Sequence, residues 1–88
     1  MRFYLSGNLL RFSDYDQDIE IEGDTLQAGL QGLAERYPPL KPVLFDASDE
    51  VRGVHQIFLD GVAISGEDIR KGVARDADVT ILTALAGG

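Results

Sequence analysis

The 88-residue chain has no cysteine and no tryptophan, and only one histidine and one methionine. Without cysteine there is no disulfide, thiolate metal site, iron–sulfur cluster or thiol nucleophile. A single histidine excludes His-rich metal sites and most imidazole-based triads. Basic residues are scarce as well, with eight Lys and Arg against 15 Asp and Glu, for a net charge of −7. That sign argues against nucleic acid and anionic membrane as partners. No apolar run approaches the roughly 18 residues of a membrane span, and Met1 is not followed by a basic, then apolar, leader. These absences lead to the expectation of one small cytoplasmic domain with little equipment for chemistry of its own.

What is present reads as a single unit, with no linker and no internal repeat. Arg2 to Leu5 is short, aromatic-rich and β-favouring, and Ser6-Gly7-Asn8 punctuates it. From Gln17 to Glu22, Ile19 and Ile21 alternate with Asp18, Glu20 and Glu22, the period of a strand with one buried face. Asp24 is the expected N-cap of the following helix, with Gln27 three residues on. Leu26, Leu30, Leu33, Ala34 and Tyr37 then recur on one helical face, and Pro38-Pro39 stop the helix. Gly29 and Gly32 each cost up to about 1 kcal/mol in a helix, which points to close packing against a sheet.

Val43-Leu44-Phe45 should dock on the core before a loop from Asp46 to Gly53. Gln56 to Leu59 and Val62 to Ile64 read as strands joined by an Asp60-Gly61 turn. A short helical turn over 65–72 leads to a last strand, Val79 to Thr83. The order β-β-α-β-β-β predicts an α+β roll: a mixed sheet of about five strands with one main helix on one face. The expected division is a domain over 1–83 and a flexible tail over 84–88.

The conventional search for an active site ends empty. Asp14, Asp16, Asp18, Glu20, Glu22 and Asp24 stand at two-residue intervals and would share one side of an extended chain. They do not form a calcium loop, since Ile19 stands where the sharp-turn glycine belongs and Thr25 where the bidentate glutamate belongs. Two readings remain for them: a solvated face that resists edge pairing, and attraction to a basic partner. His55 has no second His or Cys with which to share a metal, and reads as a hydrogen-bonded or exposed structural residue.

Two features stand apart. After Asp78 no charged side chain appears through Gly88, and the sequence given closes on Gly87-Gly88. Glycine lacks a Cβ and can thread a narrow channel, and an uncharged segment enters one without desolvating side-chain charge. A disordered end, or a chain cut there, is the plainer alternative. The second feature is strand parity. If Phe3, Leu5, Ile57, Leu59, Val79 and Ile81 face the helix, then Tyr4, Phe58 and Leu82 face outward. Such residues make a docking surface, or are partly covered by the 40–55 segment.

Taken together, Ile57-Phe58-Leu59-Asp60-Gly61, Asp76-Ala77-Asp78-Val79-Thr80-Ile81-Leu82 and Ala84-Leu85-Ala86-Gly87-Gly88 resemble the ThiS/MoaD-type ubiquitin-like sulfur carriers. The resemblance spans essentially the whole chain and is strongest from Gln56 onward. It implies the β-grasp fold and a protein cosubstrate rather than an enzyme. In such proteins a ubiquitin-activating-type adenylating enzyme uses ATP to activate the terminal carboxylate, here that of Gly88. A sulfur nucleophile converts it to a thiocarboxylate, and a sulfur-accepting biosynthetic enzyme receives the sulfur. The pathways so served include those to cysteine, thiamine, molybdopterin and thio-containing secondary metabolites. By position, Gly87, Ala86 and Leu85 would thread the channel, and Leu82 matches the outward apolar residue of partner contact. Tyr4 and Phe58 join it on geometric grounds. No bound metal or cofactor is implied. One departure is Thr83-Ala84, where several members carry proline.

Overall fold

A computed structural model describes residues 1–16, 18–52, 55–64 and 66–83. Five strands form one mixed sheet: β1 (Arg2–Leu5), β2 (Ile19–Glu20), β3 (His55–Leu59), β4 (Val62–Ala63) and β5 (Asp78–Thr83), in the order β2-β1-β5-β3-β4. β1 and β5 run parallel and every other pair is antiparallel. The parallel pair needs a long crossover. The chain between β1 and β5 supplies it through α1 (Leu26–Arg36), the short α2 (Lys41–Leu44) and the β3–β4 hairpin.

The core lies between α1 and one sheet face. Leu26, Leu30, Leu33 and Ala34 of α1 are buried with Phe3, Leu5, Ile19, Ile57, Val79 and Ile81 of the sheet. Each large side chain removed from water contributes roughly 1.5–3 kcal/mol. The two helix glycines sit where the sheet comes closest. A Cβ on Gly29 would run into the Met1 thioether, and one on Gly32 would stand 2.7 Å from Cγ2 of Ile21. Leu40, Leu44 and Phe45 close the core beyond the prolines, which form a 3-10 turn over Pro38–Leu40 and do not lead straight into a loop.

Three expectations are corrected. The segment after β1 is a 3-10 helix over Gly7–Ser13, more than a simple turn, and it buries Leu9 and Ser13. Of the second strand expected over 17–22, Ile19–Glu20 pairs in register with Arg2 and Phe3 and Ile21 exchanges backbone hydrogen bonds with Met1, while Gln17 lies outside the described residues. The helix is capped by Thr25, not Asp24. The Thr25 hydroxyl accepts from Ala28 N–H at 3.1 Å, while the Asp24 carbonyl accepts from Val73 N–H at 3.0 Å. Backbone pairing of 24–25 with 72–73 therefore holds Asp24 outside the helix.

The acidic series is corrected with the strand. Asp14 and Tyr15 both take left-handed backbone (φ 56° and 61°), so the chain turns and the six acids share no single extended face. Asp16 instead faces α1, and Asp18 pairs with Arg2 at 3.1 Å. The Asp60-Gly61 turn has positive φ at both positions (50° and 86°), as a two-residue type I′ hairpin requires.

Candidate docking face and root of the tail

Strand alternation separates two faces of the sheet. Phe3, Leu5, Ile57, Val79 and Ile81 enter the core. On the opposite face, register defines three rows. The first holds Glu20, Arg2 and Asp78. The second holds Tyr4, Thr80, Phe58 and Ala63. The third pairs Leu82 with Gln56. Tyr4 and Leu82 are 39% and 40% exposed, whereas Phe58 and Thr80 are half-buried between their neighbours. Tyr4, Phe58 and Leu82 thus lie on one face and on three adjacent strands.

β5 is the central strand of five, paired with β1 as far as Ile81 and with β3 as far as Thr83, which pairs with His55. Covalent continuity makes this the root of the segment 84–88. The residues assigned to the reactive end and to threading, Gly88, Gly87, Ala86 and Leu85, lie outside the described residues. His55 is tied into the fold: its Nε2 lies 2.7 Å from the Val43 carbonyl, which can only accept, so that nitrogen carries the proton. Ser13 is likewise occupied, its hydroxyl donating to Leu10 O at 3.1 Å.

Charge is distributed unevenly over the outer face. Arg2 contacts Tyr4 and pairs with Asp18, which together raise its pKa above the ordinary arginine value. Near Leu82 the register places the uncharged Gln56 and Thr80. Elsewhere, a groove of about 190 Å³ beside α1 is lined by Gln31, Ala34, Glu35, Lys41, Phe45 and Asp49. Among the described residues no group of three His, Asp or Glu side chains is placed to hold a metal ion, and no helix is long and apolar enough to cross a membrane.

Sequence reasoning missed the 3-10 helix over Gly7–Ser13, whose Leu9 joins the core. Its signal was the apolar run Leu9, Leu10 and Phe12, which has neither helical nor strand period.

This architecture, a five-stranded mixed sheet wrapped around one main helix, is the ubiquitin-like β-grasp fold. No protein-family model matches the chain, and no curated protein sequence matches it. Solved structures do. The small archaeal modifier protein SAMP1 of Methanosarcina acetivorans has a TM-score of 0.86 at 24% identity, over 99% of this chain and 94% of that one. The Amycolatopsis orientalis BexX/CysO complex gives 0.84 at 19%, over 99% and 98%. Mycobacterium tuberculosis CysO gives 0.80 at 23%, over 96% and 98%. At these identities the likeness establishes the fold, the one that the resemblance to ThiS/MoaD-type proteins implied.

Proposed function

We propose that this protein is a sulfur carrier, a cosubstrate acted on by other enzymes. The observation that carries the reading is the conjunction of a β-grasp body with a central strand, β5, that continues into Ala84-Leu85-Ala86-Gly87-Gly88. A carboxylate is a poor electrophile. An adenylating partner that binds ATP would join the Gly88 carboxylate to AMP and release pyrophosphate. A sulfur nucleophile would then attack the acyl carbon and expel AMP, leaving a thiocarboxylate for a sulfur-accepting biosynthetic enzyme. Gly87, Ala86 and Leu85 would pass through the partner's channel, with Tyr4, Phe58 and Leu82 resting on its surface. ATP would belong to the partner's site, and this chain's own part is to dock and to present one carbon. A neighbour of the same fold solved in complex with BexX supports a role that depends on a partner.

The test is to incubate the protein with ATP, a sulfide source and an adenylating enzyme competent on another carrier, and to read the intact mass. Replacement of one C-terminal oxygen by sulfur is the expected result, and removal of Gly87 and Gly88 should abolish it without changing the melting curve. No exchange with a competent enzyme would overturn the reading.

The modifier proteins among the structural neighbours favour a second reading, in which a lysine amine displaces AMP and Gly88 becomes joined to other proteins. Tagged adducts that survive reducing agent would mark it. A third reading, an interaction module with an inert tail, predicts that deleting Gly87 and Gly88 changes nothing.

A further inference from the structure

A flat apolar patch holds a partner but does not by itself decide how the partner is rotated upon it. For a carrier that matters, because the tail leaves β5 at one edge of the face and must meet one opening. The outer face has a built-in direction. At its tail end stand Leu82 and Gln56, both uncharged. At the other end stand Glu20, Arg2 and Asp78, with Asp60 joined to Asp78 by two backbone-anchored hydrogen bonds of 2.8 and 2.9 Å. Arg2 is occupied by Asp18 at 3.1 Å, and among the described residues neither Glu20 nor Asp78 forms an ion pair. That end is therefore net acidic, in a protein whose total charge is already −7.

We propose that the outer sheet face docks its adenylating enzyme in a single orientation, with Leu82 and Tyr4 in an apolar pocket and Glu20 and Asp78 against basic residues farther from the channel. This rests on the carrier reading and adds to it the charge of the partner's surface. The separation is set by the strand: from Asp78 to Leu82 is four residues, about 13 Å at a rise of roughly 3.3 Å per residue. A basic patch placed so would attract the acidic end during approach and leave the uncharged end to settle at the channel mouth. A partner rotated half a turn would set its basic patch against Leu82 and leave the acids unpaired.

The experiment measures association and dissociation rates with the enzyme that adenylates this chain, at low and high salt. Glu20→Lys with Asp78→Lys should lower the association rate by about tenfold at low salt and flatten its salt dependence. A control pair beside α1, Glu35→Lys with Asp49→Lys, changes the net charge equally and should leave the rate near wild type. Equal slowing by both pairs would reduce the effect to net charge and overturn the orientation. No slowing by either would overturn it too. Glu20→Gln with Asp78→Asn, which removes charge without adding lysine, should give an intermediate rate and excludes misfolding as the cause. Failure of the wild type to bind any adenylating enzyme would instead overturn the carrier reading, and the orientation with it.

Discussion

The hydroxyl of Tyr37 donates a 2.7 Å hydrogen bond to Oδ2 of Asp16, joining the C-terminal end of α1 to the acidic stretch 21 residues earlier. This bond holds the Asp16 carboxyl below the ordinary aspartate pKa, helped by the Asp18 N–H, and raises the Tyr37 phenol above the ordinary tyrosine value. Both shifts favour the pair with Asp16 charged and Tyr37 neutral. The Asp16 part of this stability is present above about pH 4, the unfolded carboxylate value, and is lost as pH falls through the lowered folded value. The Tyr37 part is present below about pH 10 and is lost as pH rises through the raised folded value. Tyr37→Phe should therefore lower stability throughout the neutral range, with wild type and variant converging at both extremes. Denaturant melts across pH check this, and a constant difference at all pH would contradict it.

Capping by Thr25 makes a separable prediction. Thr25→Ala should cost about 1 kcal/mol, within the range measured for lost N-caps, while Asp24→Ala should cost clearly less because its role is through the backbone carbonyl. Urea unfolding of the two variants decides which residue caps the helix.

The hairpin turn can be tested at Gly61. Nothing lies within 4 Å of where its Cβ would stand, so Gly61→Ala meets no steric contact and is opposed only by the positive φ. A loss of roughly 1–2 kcal/mol is expected from the backbone alone. A neutral outcome in the same melts would show that the turn relaxes to another type.

Burial separates the two faces of the sheet energetically. Leu30→Ala, at a position 1% exposed, should cost about 2–5 kcal/mol. Leu82→Asp should cost about 1 kcal/mol or less, since Leu82 is 40% exposed and the change is chiefly one of strand preference. Phe58→Asp should fall between them, because that ring is half-buried. Binding to the adenylating enzyme should rank otherwise, with both outer-face variants weakened although they remain folded. Loss of cooperative melting in Leu82→Asp would mean the exposed face has been misassigned.

Much of this molecule is legible in one dimension. The alternation of Ile57 and Leu59 with Phe58, the 3.6-residue stripe from Leu26 to Ala34, and Asp60-Gly61 each belong to a local rule of backbone geometry. So does the inference that Gly29 and Gly32 mark close packing, since a helix tolerates such residues only where something else stands near. The stretch over 7–18 was not legible in this way. Its 3-10 helix and two left-handed residues obey no period, and Leu9 and Ser13 are buried there by contact with distant chain.

The chain alone therefore determined the order of the strands and the main helix, the inward side of Phe3, Ile57 and Ile81, and an uncharged stretch after Asp78, because these follow from neighbours in sequence. Tertiary structure decided the rest. It set β5 between β1 and β3, so that Tyr4, Thr80 and Phe58 meet in one row, and left only Ile19–Glu20 of the second strand in register with β1. It moved the helix cap from Asp24 to Thr25 and broke the regular series of acids into separate contacts with Arg2 and Tyr37. Register and pairing depend on which segments meet across the fold, and no local spacing contains that information.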